Sequence, residues 1–531
     1  DKEKYGQLIN KVKHKKLVVI SLHNIRNRRS KNYGIGPHVK GFIDALSQYT
    51  KVVVVVFGNP YSLKYFTGNQ YLICAYEDND ATEKAVPQLI FGAIGANGKL
   101  PVSVTENIVV GHGIPLYPIG RTGFSYPSLQ KLNTDYLNEI DTIVKEAIEN
   151  RATPGCQVMV LRNGKVVFDK SYGYQTYDSL TAIDDNTIYD LASVTKVLAT
   201  TQVLMELYSL GEINLDSTVG YYLPELRGTN KEHMVIRDIL SHQAGLWPYL
   251  SHWNKTMTDK RIPDSKLYCF KVGDSIFCNR VSDDMYASKY VEDSVWKWTI
   301  ESDLITPNDD GSFRYRYSDV GYYLLVKVIE EITAQPFETY LDETIYGPMG
   351  LTRLSYLPLL KFPKEEIAPT EKDEYFRNSL VHGTVHDQGA AMLGGIAGHA
   401  GIFANTNEIA KLLQMNLQKG YYGNRVYFVE GVVDTFTTKQ FEKNRRALGW
   451  DKPDLTGRGP TSEYTSANCY GHSGFTGTCV WIDPDYDLIY IFLSNRIHPS
   501  AENKKLIRTD VRTRIHDLIY QSLVNYRRVE V

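Results

Sequence analysis

Two nearly continuous apolar runs stand out early in the chain, Leu17-Val18-Val19-Ile20-Ser21-Leu22 and Val52-Val53-Val54-Val55-Val56-Phe57. Branched side chains without polar alternation predict strands buried on both faces, as in a mostly parallel sheet. Helices are predicted over 37–49 and 81–92, and strands alternating with helices indicate a doubly wound α/β sandwich. Glycine and proline then crowd residues 111–127 and mark a boundary. Beyond it, Thr134 and Asp135 are N-cap candidates for a helix in which Leu137, Ile140, Ile143, Val144, Ala147 and Ile148 recur with helical period. The period then changes to two. Residues 156–161 and 165–169 flank Asn163-Gly164, which accepts positive φ and predicts a tight hairpin. The chain's end mirrors this order, with strands over 479–482 and 488–493 around Asp483-Pro484-Asp485 and a long amphipathic helix over 506–526. Both ends of the second domain are expected to pack on one antiparallel sheet.

With 531 residues and about 150 per domain, there is room for two to four domains. Lys+Arg number 59 against 61 Asp+Glu, a formal charge of −2, so no basic field exists to hold a nucleic acid. Hydrophobic residues at 43% with 23% charged describe a globular chain rather than a disordered or fibrous one. The longest apolar run, residues 52–57, is far short of the roughly 20 needed to span a bilayer. A basic leader is missing and the chain opens on Asp1, which predicts a processed or truncated start. Six cysteines without a CxxC pair point neither to a disulfide scaffold nor to zinc; Cys269 and Cys278 either pair around a loop or are two free thiols.

Residues 15–110, with Phe57-Gly58-Asn59-Pro60 and Gly95-Ala96-Asn97-Gly98-Lys99-Leu100-Pro101-Val102-Ser103-Val104, resemble the C-terminal α/β domain of glycoside hydrolase family 3. That family's nucleophilic Asp lies on a barrel domain outside this chain, so the resemblance implies no glycosidase activity here. Glu77 and Asp78 are expected as loop or surface groups.

Ser-x-x-Lys on a helix sets an amine one turn from a hydroxyl, close enough to take its proton. It occurs at Ser128/Lys131, Ser193/Lys196 and Ser294/Lys297, and context selects the second. Ser128 lies in the boundary segment and Ser294 in an acidic, aromatic stretch. Ser193 instead opens a helical run through Val197, Leu198, Val203, Leu204 and Leu207 that Gly211 can end, at a helix N-terminus that favours developing negative charge.

Around that serine, Pro154-Gly155-Cys156-Gln157-Val158-Met159-Val160, Tyr189-Asp190-Leu191-Ala192-Ser193-Val194-Thr195-Lys196 and Leu240-Ser241-His242-Gln243-Ala244-Gly245-Leu246 resemble the serine β-lactamase and penicillin-binding-protein superfamily, class C enzymes and their esterase relatives above all. The resemblance covers about residues 135–526. It implies an α+β domain in which an antiparallel sheet is flanked by helices and joined to an all-helical subdomain. The domain limits expected are 1–122 for the α/β domain, 123–134 for a linker and 135–531 for the hydrolase, with 251–310 an inserted lid.

The superfamily's Tyr-x-Asn is matched by Tyr317-Ser318-Asp319 and its Lys-Thr-Gly by His472-Ser473-Gly474. Catalytic roles are implied for Ser193, Lys196 and Tyr317. Asp319, His472, Ser473, Gly474 and Phe475 are implied in substrate binding, with the backbone N–H groups of Ser193 and Phe475 as oxyanion hole. Asp in place of Asn is expected to hold Lys196 charged and shift the role of base to Tyr317, whose pKa a nearby cation would lower. His472, with an ordinary pKa near 6.5, is expected mostly neutral at pH 7, yet able to donate to a substrate carboxylate or polarise Tyr317. Gly474 is expected to admit substrate to the strand. Gly394-Gly395-Ile396-Ala397-Gly398-His399-Ala400-Gly401 resembles a glycine-rich wall of the site, with His399 structural. His382 and His386 suggest a metal pair, but Gly383 and the missing Glu-x-x-His helix argue against it, so neither metal nor cofactor is implied.

The expected function is an acyl-enzyme hydrolase of an ester or amide, of esterase or D-amino-acid-peptidase type, acting on a small-molecule, peptide or peptidoglycan-like substrate. Alternatives are a class C-type β-lactamase, a fragment of a family 3 β-N-acetylhexosaminidase and a non-catalytic binding module. The resemblance implies a bacterial periplasmic or outer-surface setting.

Overall fold

The computed structural model describes residues 2–68, 71–270, 273–456 and 459–529. They divide into two units, Asp1–Gly123 and Phe124–Val531.

Unit 1 contains α1 (Lys2–Val12), β1 (Leu17–Leu22), α2 (Pro37–Ser47), β2 (Lys51–Val56), β3 (Tyr71–Cys74) and α3 (Asp80–Ile90). The strands are parallel, with Leu17 opposite Lys51 and Val53 opposite Tyr71. Val52, Val54 and Val56 pack on Ile43 and Leu46 of α2, while Val53, Val55 and Phe57 pack with Val86 of α3. Burial of β2 on both faces explains why its sequence lacks polar alternation. The order β1-β2-β3 is sequential, so the reversal that defines double winding is missing among the described strands.

Unit 2 begins with α4 (Thr134–Glu149), β5 (Gly155–Arg162) and β6 (Lys165–Gly173), and β4 (Gly123–Phe124) leads into it. The cap of α4 is Asn133, one residue before the expected Thr134 and two before Asp135, and its side chain accepts the Asp135 N–H at 2.9 Å. Asn163 and Gly164 have φ of +50° and +70°, so the hairpin closes with Arg162 opposite Lys165 as a two-residue turn requires. Residues 124–134 belong to this unit rather than to a free linker: the Ser125 N–H donates to the Val166 carbonyl at 3.0 Å.

The chain continues through β7 (Tyr189–Asp190), α5 (Thr201–Leu210), α6 (Val320–Thr333) and β8 (Phe403–Ala404) before β9 (Tyr470–Ser473), β10 (Cys479–Asp483), β11 (Leu488–Ser494) and α7 (Val511–Val529). One six-stranded sheet runs β9-β10-β11-β5-β6-β4, with antiparallel pairing from β9 through β6. Val158 and Val160 of β5 face Ile140 and Val144 of α4 and Ile515 and Ile519 of α7. Met159 and Leu161 face the opposite way, toward Val197, Leu204 and Leu325 of the helical subdomain. The alternation of β5 thus joins both halves of the unit, each buried Val or Ile contributing about 1.5–3 kcal/mol.

Within 251–310, residues 271–272 lie outside the described residues. The remainder forms a three-stranded sheet of Tyr268–Cys269, Asn279–Arg280 and Tyr286–Ala287 and a helix, Tyr290–Glu301. Val281, Met285, Val291 and Val295 share a core with Phe376, Ala391 and Phe403, so this stretch is packed onto the body and is no loose excursion. Cys269 and Cys278 are both free, so the disulfide alternative falls. No helix among the described residues is long and apolar enough to cross a membrane.

Candidate active site

After β7 the chain makes a tight turn over Ala192–Val194, passes through a wide helical turn at Lys196–Thr200 and continues as α5, which Gly211 ends at φ +76°. Ser193 and Lys196 thereby fall on one face. Lys196 Nζ lies 3.0 Å from Ser193 Oγ and donates to the His399 carbonyl at 3.2 Å. Its side chain is fully buried, whereas Ser193 is partly exposed. The other two Ser-x-x-Lys pairs are spent locally. Ser294 Oγ donates to the Tyr290 carbonyl and Lys297 faces Glu301, while Lys131 is the left-handed residue that ends the turn carrying Ser128.

The residues before α6 bring in Tyr317 and Asp319. Asp319 Oδ1 is 2.6 Å from Lys196 Nζ, and the Tyr317 ring centre lies 5.2 Å from the same Nζ. Burial alone would drive Lys196 toward the neutral amine, but the Asp319 charge, reinforced by Tyr317, outweighs it and raises the ammonium above its ordinary value. The Asp319 charge thus favours the ammonium form of Lys196. Tyr317 departs from expectation: burial raises its phenol and the Lys196 charge only partly opposes this. At rest both candidate proton acceptors carry their protons.

β9 delivers His472 and Ser473. Burial, followed by the charges of Arg446 and Lys196, pushes His472 down to about 3, so it is neutral at pH 7. Its Nδ1 is 2.8 Å from the Ser473 carbonyl, which places the proton on Nδ1 and leaves Nε2 an acceptor. Nε2 donation to a substrate carboxylate, one of the expectations for this residue, does not fit that tautomer. Gly474 also departs from expectation. A Cβ there would lie 2.4 Å from the Leu191 carbonyl oxygen and 2.2 Å from Thr478 Oγ1, so the missing side chain admits the protein's own backbone. Phe475 is 52% exposed, with its ring stacked on His386 at 5.6 Å.

His242 and Arg446 carried no expected role, and His399, expected as structural, also contributes. His242 packs on Tyr317 with ring centres 4.5 Å apart, and its Nδ1 accepts the Ser318 N–H at 3.1 Å. Arg446 holds its guanidinium 5.2 Å from the Tyr317 ring centre, donates to the Tyr315 hydroxyl at 3.2 Å and pairs with Asp451 at 3.3 Å. The His399 carbonyl anchors Lys196 while its ring pairs with Asp387 at 2.8 Å. His242 lies within a segment already noticed for its likeness to the superfamily, but nothing local marks Arg446 or Asp451. His386 faces Glu371 and His382 the Ile367 carbonyl, so the two histidines do not converge.

Residues 140–513 match the family model described as Beta-lactamase, and the chain is 32% identical over 414 residues to a "Putative D-alanyl-D-alanine carboxypeptidase" of Salmonella agona, covering 73% of this chain and 87% of that one. The chain belongs to the beta-lactamase family. It is a serine hydrolase of that family. Two solved structures share the family fold. A penicillin-binding protein homologue from Caulobacter crescentus aligns with a TM-score of 0.53 at 17% identity over 74% of this chain and 99% of its own. EstCE1, described as a hydrolase with promiscuous acyltransferase activity, aligns with a TM-score of 0.52 at 16% identity over 73% and 99%. Within this beta-lactamase-family domain, the glycine-rich segment comes close to α6 and to the wide turn at Lys196–Thr200 because Gly398 has no side chain. A Cβ there would meet the Tyr322 carbonyl oxygen at 2.7 Å and Thr200 Oγ1 at 3.0 Å.

Proposed function

We propose that Ser193 forms an acyl-enzyme with an ester or an amide, that Lys196 and Tyr317 handle its proton, and that water then releases the acyl group. The observation that carries this reading is the partly exposed Ser193 hydroxyl 3.0 Å from a buried lysine, with the Tyr317 ring centre 5.2 Å from that lysine's Nζ. In the proposed acylation, Ser193 Oγ bonds to the carbonyl carbon, its proton passes to the Lys196–Tyr317 pair, and the pair returns a proton to the leaving group. Because the pair is protonated at rest, acylation is expected to quicken with rising pH.

The substrate class proposed is an ester or a D-amino-acid peptide, including envelope-derived peptides. The relative named a carboxypeptidase supports the peptide arm and EstCE1 the ester arm. The same carboxypeptidase likeness favours a periplasmic or outer-surface setting. Hydrolysis of β-lactams is the second reading, disfavoured by a neutral His472 where penicillin-recognising enzymes carry a lysine. For unit 1, the resemblance to a family 3 module still rests on its sequence segments alone; Asp78 there is engaged by His23 and the Asn24 N–H, each at 2.7 Å.

The test is incubation with a fluorophosphonate and, separately, a penicillin, followed by intact mass and mapping of the adduct, with Ser193→Ala as control. A Ser193 adduct from the fluorophosphonate alone supports the esterase or peptidase reading, and adducts from both restore a penicillin-binding or lactamase role. A stable acyl adduct without turnover points to a binding module. Absence of any adduct overturns the proposal.

A further inference from the structure

The proposed oxyanion hole needs two backbone N–H groups, from Ser193 and Phe475, held at a fixed separation. They lie on different elements, 282 residues apart in the chain, and one buried residue is linked to both segments, to the Ser193 turn by its side chain and to the Phe475 segment by its main chain. Asp190 at the end of β7 is 2% exposed. Its Oδ1 accepts the Ala192 N–H at 2.8 Å and its Oδ2 the His386 N–H at 2.7 Å. The first bond closes the turn that presents Ser193. Ala192 takes φ +46° there, a left-handed conformation that an alanine adopts only when its surroundings impose it. The second bond fixes the backbone of His386, whose ring stacks on Phe475 with an interplanar angle of 18°.

The main chain of the same segment repeats the link. Thr476 Oγ1 donates to the Asp190 carbonyl at 2.7 Å, and Thr478 Oγ1 to the Leu191 carbonyl at 3.1 Å. The residue that follows Phe475 is thus fastened to the residue three before Ser193. A carboxylate suits this place because it presents two acceptors and no donor, matching two N–H groups on opposite sides. An asparagine could satisfy one and would oppose the other with its own N–H.

We propose that Asp190 is a positioning residue that sets the geometry of the oxyanion hole by bridging the Ser193 turn to the wall behind Phe475. The proposal rests on the acyl-enzyme reading. Its test uses the full chain and compares wild type with Asp190→Asn, after both are shown to be folded by circular dichroism. The rate of Ser193 labelling by a fluorophosphonate is measured, together with the rate ratio for a p-nitrophenyl ester and its thionoester. An oxyanion hole discriminates against the thionoester because sulfur accepts hydrogen bonds more weakly than oxygen, and a merely structural lesion leaves that ratio unchanged. Asp190→Asn is expected to slow labelling by on the order of tenfold or more, with KM nearly unchanged and the oxygen-to-sulfur ratio moved toward unity. Should Asp190→Asn not fold, Thr476→Val decides, because it loosens the same bridge and is expected to move the ratio in the same direction. A folded variant with the wild-type ratio and labelling rate would falsify the bridge while leaving the acyl-enzyme intact. If wild type itself takes no label at Ser193, the acyl-enzyme reading fails and the bridge falls with it.

Discussion

Lys196 Nζ and Asp319 Oδ1 lie 2.6 Å apart, the lysine side chain fully buried and the aspartate one-fifth exposed. This ion pair sits at the base of the proposed nucleophile and sets the proton inventory of the site. It also explains how a charged amine persists in a place where burial alone would neutralise it.

Removing the carboxylate by Asp319→Asn is expected to have two effects. With its counter-charge gone, Lys196 loses its proton at lower pH, so the rising limb of the pH–rate profile for acylation moves toward neutrality. The raised Lys196 pKa contributes stability that is fully present below the unfolded lysine value near 10.5 and is lost as pH rises through the folded value. At pH 7 the variant is therefore expected to lose about 3–5 kcal/mol, the usual effect of stranding one partner of a buried pair. Urea denaturation and stopped-flow labelling at several pH values read both, and an unmoved limb would show that Lys196 is not the titrating group.

Tyr317→Phe keeps the ring between His242 and Arg446 and removes only the hydroxyl. Turnover is expected to fall by about 10²–10⁴, the range of a lost proton-transfer group, with stability changed by about 1 kcal/mol. Turnover within a fewfold of wild type would leave Lys196 to move the proton alone.

His472→Lys restores the residue type of penicillin-recognising enzymes, but at a buried point that already feels Arg446 and Lys196. A third cation there is expected to lower the melting temperature by several degrees and to bring no labelling by penicillin. A stable variant that gained a penicillin adduct at Ser193 would show instead that the histidine alone withholds that activity.

Acid should weaken the fold through the buried histidines. His472 and His516 are both held down to about 3 by burial, while in the unfolded chain they take protons near 6.5. Each therefore subtracts about 1.4 kcal/mol of stability per pH unit as pH falls from 6.5 toward 3, and nothing above 6.5. Urea melts at pH 7.5 and 5 check the slope, and His472→Gln is expected to flatten it by one histidine's share.

Gly474→Ala would set a methyl group 2.4 Å from the Leu191 carbonyl oxygen. Both the strand end and the turn before Ser193 would have to shift, so labelling of Ser193 and thermal stability are expected to fall together. A variant with unchanged melting and rate would show that the two segments yield at no cost.

Much of unit 2 could be read along the chain because its causes are local. The two-residue period of β5, the left-handed Asn163-Gly164 turn and the helical period after Asn133 each depend on neighbours within a few positions. Ser193 and Lys196 share this legibility, since three residues make one turn of helix. Where the expectations failed, the missing information was long-range. The winding of unit 1 depends on which strand pairs with which, and unbroken apolar runs do not encode that order. Gly474 reads as an opening for substrate until the Leu191 carbonyl is brought against it.

The sequence by itself determined most of the elements, the pairing of the proposed nucleophile with its lysine, and the ordered segments that mark the beta-lactamase family, because periodicity and turn chemistry are written in adjacent residues. Only the tertiary structure decided the charge state of the site. Lys196, Asp319, Arg446 and His472 come from four distant stretches, and whether each carries a proton depends on burial and on charges a few ångströms away. Those distances exist only once the chain has folded.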